Sequence, residues 1–244
     1  MLGRWRRPPL LETRDAYARW AAVYPARPHN ALMRAEQRVM ESVLGTIGAS
    51  AATATPGAVD AVRALDVGTG TGRYRAVLAR SGGCQIVGVD FSWEMLRAGA
   101  ADPARGLVCG DATALPFADA AFDLTLASLM VGDISDLSRW VGELDRVLRP
   151  GGHLVYSDFH GSWAGDGWRR TLQDRSGRTY EIPYHARSVE QHWDALEAFG
   201  FVVSQVREIG LESETGPEAD AFRRRWGNPP VAIVVHARRA MPKP

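Results

Sequence analysis

Residues 63 to 80 read RALDVGTGTGRYRAVLAR: an apolar run reaching Asp66, then Gly68, Gly70 and Gly72 at alternate positions, then a helical pattern. Glycines at such a turn let the backbone approach a ligand and take up dihedrals closed to other residues. A second apolar run, QIVGVD, ends in Asp90. A carboxylate at that point can bind both hydroxyls of a ribose. The dinucleotide fingerprint wants Gly-x-Gly-x-x-Gly, with a helix N-terminus aimed at a pyrophosphate. Here the third glycine comes one position early and Arg73 follows. Asp66 would repel a pyrophosphate and suits an ammonium group. The pattern asks for a ligand that joins a ribose to a cationic amino group.

S-adenosylmethionine has those parts, with a carboxylate, a sulfonium and an adenine besides. The elements that would position the acids follow from periodicity. From residue 64 short apolar runs (ALDV, QIVGVD, GLVCGD, FDLTLASL and HLVYSDF) alternate with helical stretches (RYRAVLARSGG, SWEMLRAGA and DLSRWVGELDRVLRPGG). Such alternation implies a doubly wound α/β fold, a mostly parallel sheet covered on both faces. Ahead of it, residues 12–24 and 30–45 read as helices, the second with Leu32, Ala35, Val39 and Val43 on one stripe and Asn30 as N-cap. GASAATATPG, 48–57, reads as a linker. Residues 160–187 are polar, rich in Gly, Trp and Arg, and show no period. A helix is expected over 188–199, then closing strands FVVSQVREIG and VAIVVHARR joined by a long connection, 211–230, as an antiparallel hairpin.

The 244 residues suffice for one sizeable core with an appendage. Lys and Arg (29) balance Asp and Glu (28) to a net +1, which gives no sign of a polyanion partner. Cys84 and Cys109, both in apolar runs and outside any CxxC, read as reduced core thiols of a cytoplasmic protein. The basic start is not followed by a signal-peptide run, and no apolar stretch nears the ~20 residues of a membrane span.

Four stretches in order, LDVGTGTGR, VGVDFSWEML, CGDATALPFADAAFDL and VLRPGGHLVYSDF, resemble class I S-adenosylmethionine-dependent methyltransferases. The likeness is to the small-molecule branch with the malonyl-carrier-protein and ubiquinone-pathway enzymes. It is close over about 62–160 and loose elsewhere. It implies a seven-stranded Rossmann-like sheet with an antiparallel last strand. Residues 1–60 would form a helical lid and linker. Residues 61–244 would be the cofactor domain, with 160–187 as an insertion over the acceptor pocket.

The resemblance also implies site roles. Asp66 and the turn Gly68, Thr69, Gly70, Gly72 and Arg73 would hold the methionine part. Asp90 would take the ribose, with Phe91, Ser92 and Met95 around the adenine. Asp111 and Ala112 would meet the adenine edge, and Ser128 and Leu129 would form the floor. Met95 also reads as a helix core residue, and Asp111 as a helix N-cap.

Methyl transfer is an in-line displacement that rests on alignment, and it needs a base only if the acceptor loses a proton. Candidate groups are His160 after the fifth strand, His29 in the loop YPARPHN, and Tyr24 beside it; His185 lies in the insertion. His153 and His236 fall within strands and are discounted. Aromatics outside the sheet (Tyr17, Trp20, Tyr24, Trp163, Trp168, Tyr184) suggest an aromatic, apolar or acyl acceptor. The expected acceptor is a small molecule or a carrier-bound acyl group, with O-methylation favoured and S-adenosylhomocysteine as product. No nucleic acid, membrane or metal is expected, and the chain would be a monomer or homodimer.

Other readings fare worse. Asp133 and Asp158 stand near where a metal-assisted methyltransferase keeps its acids, but Phe159 follows the second where that pattern has Asn. Asn228-Pro229-Pro230-Val231 mimics a base-methylating motif, yet it precedes the last strand and lacks the stacking aromatic. A nicotinamide dehydrogenase is disfavoured by the glycine spacing. A non-catalytic, nucleoside-binding partner subunit remains the alternative.

Overall fold

The structure, a computed structural model, describes residues 7–54, 62–81, 84–99, 106–162 and 168–242. At its centre are β1 (Val62–Val67), β2 (Cys84–Asp90), β3 (Leu107–Cys109), β4 (Phe122–Ser128), β5 (Leu148–Phe159), β8 (Phe201–Ile209) and β9 (Ala232–Arg239). They form one sheet in the order β3-β2-β1-β4-β5-β9-β8. β1 to β5 run parallel, and β9 runs antiparallel to both its neighbours. The strand order reverses between β1 and β4, so their carboxyl ends splay into the crevice where doubly wound sheets take ligands.

Helices α1 (Thr13–Trp20), α2 (Ala31–Ala54), α3 (Arg73–Ser81), α4 (Trp93–Gly99), α5 (Leu137–Val147), α6 (Val189–Ala198) and α7 (Pro217–Trp226) complete the fold. Local chemistry starts several of them. Asn30 accepts from the Met33 amide (2.8 Å), Asp136 from Arg139 (3.0 Å), and Ser188 forms a capping box with Gln191. One core buries Trp140 and Leu144 of α5 and Leu196 of α6 against the sheet. The opposite core joins Met40 and Val43 of α2 to Tyr74 and Leu78 of α3 and Ala219 of α7.

Four sequence expectations change. The linker expected at 48–57 is helical as far as Ala54, because alanine and serine do not stop a helix and Pro56 comes later; 55–61 lie outside the described residues. The connection 211–230 contains α7, entered through Pro217 and left through Gly227 at φ +76°. Segment 160–187 holds a small hairpin, β6 (Thr171–Gln173) with β7 (Thr179–Glu181), and Leu10 bridges to Glu181 beside it. This hairpin and α1 share a separate core of Ala16, Leu172, Tyr180 and Ile182. Cys109 is exposed and Cys84 half-buried, so neither is a core thiol. Among the described residues no helix is long and apolar enough to cross a membrane.

Candidate functional site

A cavity of about 910 Å³ opens over the carboxyl ends of β1, β2 and β4, with α1 and the β6–β7 hairpin on its other side. Asp66, Asp90 and Asp111 all line it. Asp66 is buried, and its Oδ2 accepts from Thr69 Oγ1 (2.6 Å). Burial pushes its pKa up to about 7. Asp90 accepts from the Gly70 amide at Oδ2 and the Ser92 amide at Oδ1, both 2.8 Å. Burial raises its pKa to about 6. Asp111 is exposed, and its Oδ1 accepts from the amide (2.7 Å) and hydroxyl (2.8 Å) of Thr113; a turn and not a helix follows it, so it is no helix N-cap.

The glycines are needed where they stand. Gly68 has φ +68°, and a Cβ there would lie 2.8 Å from Met130 Cγ. Gly70 and Gly72 have φ +54° and +87°, a region costly to other residues. Leu129 adopts φ +52° without being glycine; such strain concentrates at functional sites. Its amide donates to Ser157 Oγ (3.0 Å). Thr71 Oγ1 is buried in the cavity wall without a hydrogen-bond partner among the described residues. Phe91, Met95, Ala112, Ser128 and Arg73 line the same cavity. Met95 is also buried in α4, so its two readings coexist. Ser92 is fully buried; its Oγ accepts from the Met95 amide (3.3 Å), starting α4.

The other end of the cavity is aromatic. Tyr24 meets Trp20 (ring centroids 4.6 Å) and His29 (5.0 Å) edge-on, and Phe159 packs on Trp168 (5.2 Å). Between these groups Tyr17 donates to Asp133 Oδ2 (2.8 Å), while Arg170 reaches both Asp133 and the Tyr17 hydroxyl. Burial holds the Tyr24 phenol above its ordinary pKa, so it stays protonated. Partial burial lowers that of His29 at the exposed rim.

His160 is not brought to this site. Its ring lies against Ser162 Oγ (2.7 Å) and Glu208 Oε1 (3.0 Å), outside the cavity lining, because β8 offers a carboxylate on that side. His185 is likewise outside the lining. Asp158 is buried behind the site and accepts from the amides of Gly132 (3.2 Å) and Phe159 (2.9 Å). Asp133 pairs with Arg170, and no metal-ligating cluster of three occurs among the described residues. Val231 simply leads into the last strand, its amide on Ile209 O (2.6 Å). Trp163 lies outside the described residues.

Sequence reasoning missed Glu36, Thr71, Met130 and Arg170. Glu36 is fully buried: Oε2 accepts from Arg73 (2.8 Å) and Tyr74 (2.9 Å), and Oε1 from Ser128 (2.8 Å) and Ser157 (2.6 Å). Its signal was a carboxylate on the apolar stripe of α2, four residues from both Leu32 and Met40.

A parallel sheet reversed between β1 and β4, with a glycine turn and an acid closing β2 over one cavity, is the arrangement in which doubly wound α/β domains take nucleoside ligands. Residues 65–156 match the family described as "Methyltransferase domain". The chain is 40% identical over 104 residues to a demethylmenaquinone methyltransferase of Renibacterium salmoninarum, covering 42% of this chain and 44% of that one. With the demethylmenaquinone methyltransferase of Streptomyces avermitilis it shares 39% over 137 residues, or 55% and 57% of the two chains. The crystal structure of an S-adenosylmethionine dependent methyltransferase from Mesorhizobium loti superposes with a TM-score of 0.56 at 25% identity, covering 78% of this chain and 96% of that one. The chain spans about half the length of the curated relatives it matches. It carries a class I S-adenosylmethionine-dependent methyltransferase domain with small-molecule relatives.

Proposed function

We propose that the protein transfers a methyl group from S-adenosylmethionine to a small organic acceptor. One observation carries this: the three acids and residues 68–71 of the glycine turn line a single cavity that continues into an aromatic compartment. The lining suits that cofactor. Thr71 Oγ1 lacks a partner among the described residues, Asp66 offers an acid to an ammonium, and Asp90 faces the cavity to receive hydroxyls. In this reading Asp66, Gly68, Thr69, Gly70, Gly72 and Arg73 hold the methionine end. Asp90 takes the ribose. Phe91, Ser92, Met95, Asp111 and Ala112 surround the adenine, and Ser128 and Leu129 form the floor. When bound, the cofactor supplies a methyl on a positively charged sulfur, already an electrophile.

The chain's own task is then alignment and exclusion of water. α1 and the β6–β7 hairpin act as the cover, and Trp20, Tyr24, Phe159 and Trp168 flatten an aromatic or acyl acceptor between them. Neutral His29 is the group at that end able to take up a proton; Tyr24, kept protonated, donates a hydrogen bond. Oxygen is the favoured methylated atom. Relatives named as demethylmenaquinone methyltransferases and a biotin biosynthesis bifunctional protein BioHC support a small-molecule acceptor; we take it to be a ring or acyl compound, free or carrier-bound. The protein is assigned to the cytoplasm, as a monomer or homodimer.

Calorimetry tests the reading. Wild type should bind S-adenosylmethionine and S-adenosylhomocysteine and not NAD. Asp90→Ala should weaken both by roughly 10²-fold, since hydrogen bonds to a charged acceptor contribute about 1.5–3 kcal/mol each. Unchanged affinity in that variant would remove the ribose assignment. Tight cofactor binding with no turnover of any quinol, phenol or carboxylic acid would favour the non-catalytic partner subunit.

A further inference from the structure

We infer that Glu36, on the N-terminal helix α2, is a positioning residue for the methionine end of the cofactor site. The inference rests on the reading proposed above. One buried carboxylate gathers groups from three other elements: Arg73 and Tyr74 at the start of α3, Ser128 at the end of β4, and Ser157 near the end of β5. The network closes on itself. Arg73 also donates to Ser128 Oγ and to the carbonyl of Met33, one turn earlier on α2 (3.4 Å). Ser157 Oγ in turn accepts the amide of Leu129, the residue held at positive φ in the cavity wall.

Every member reached from Glu36 therefore fixes a cavity-lining atom on the Asp66 side. Tyr74, Arg73, Ser128 and Leu129 all line the cavity. The adenine side is built differently: Asp90 is set by the amides of Gly70 and Ser92, and Asp111 by Thr113, with no bond to Glu36. Both Arg73 and Glu36 are almost wholly buried, 8% and 0% exposed, so neither charge can turn to water if the other is lost.

Glu36→Gln keeps the shape and removes the charge. Only one of its two side-chain heads can still accept, whereas all four neighbours donate to the carboxylate. Arg73 and the two serines must therefore rearrange, while the adenine side keeps its bonds. Binding of S-adenosylhomocysteine, which has the methionine end, is compared with binding of adenosine, which lacks it, by calorimetry on wild type and Glu36→Gln. The expected result is at least a tenfold loss for S-adenosylhomocysteine and a change under twofold for adenosine. Equal affinities in both proteins would overturn the positioning role. Parallel loss of both ligands would overturn it too, leaving Glu36 a general scaffold residue. Failure of wild type to bind S-adenosylhomocysteine would instead strike the site reading on which the inference stands. Glu36→Asp, which keeps the charge on a shorter stem, should recover part of the lost affinity.

Discussion

Arg170→Met tests how the cover over the cavity is held. α1 and the β6–β7 hairpin have their own small core, separate from the two cores of the sheet. They touch the crevice through Arg170 and Tyr17 on Asp133, and through Tyr17 edge-on to Phe91 (5.7 Å) with Arg14 over the same ring (5.5 Å). The Asp133 and Arg170 side chains are each 8% exposed. Removing one partner of such a pair costs about 3–5 kcal/mol. Lifting the cover returns Asp133 to water and relieves the cost, so the change should appear as local opening rather than global unfolding. At 1.36 kcal/mol per tenfold, protection against amide exchange should drop on the order of 10²–10³-fold. That drop should be confined to residues 13–20 and 171–181, with β1, β4 and β5 protected as before. Asp133→Leu in the Arg170→Met background should restore at least half of the lost protection. Exchange that accelerates equally in the sheet, or not at all in the cover, would refute the latch.

Two pH effects follow from buried groups. The pKa of Asp66 without ligand, about 7, lies above the ordinary 3.8, so the folded protein keeps a proton that the unfolded chain gives up. Its contribution to stability is present below about pH 4 and is lost as pH rises through about 7. The ligand's ammonium favours the ionised form, so affinity for S-adenosylhomocysteine should rise over the same upper range; in Asp66→Asn, calorimetry at several pH values should lose the rise near pH 7 and keep only that of Asp90 near 6. His153 and His236 act in the opposite sense. His153 Nδ1 lies 3.0 Å from His236 Nε2, and burial first, then His236 and nearby arginines, lower the His153 pKa to about 4. Stability from this pair is present above pH 6.5 and is lost as pH falls towards 4; thermal melts of His153→Phe should lack that acid limb. A limb unchanged in the variant would assign it elsewhere.

The sequence alone determined the parallel sheet, its closing antiparallel strand and the acids that line the cavity. These are local facts: a buried strand is an apolar run, a glycine turn is three residues, and Asp66 and Asp90 sit at strand ends whatever else the chain does. α7 was hidden because Arg223, Arg224 and Arg225 give it little apolar stripe, and the β6–β7 hairpin because its strands are three residues long. Tertiary structure decided what spacing cannot encode. Glu36 meets partners 37 to 121 residues away, and Tyr17 and Arg170, 153 apart, meet at one hydroxyl. His160 looked well placed at a strand end, but β8, two strands across the sheet, offered its ring a carboxylate. Where a side chain turns depends on which distant donors and acceptors share its burial, and only the packed chain sets that.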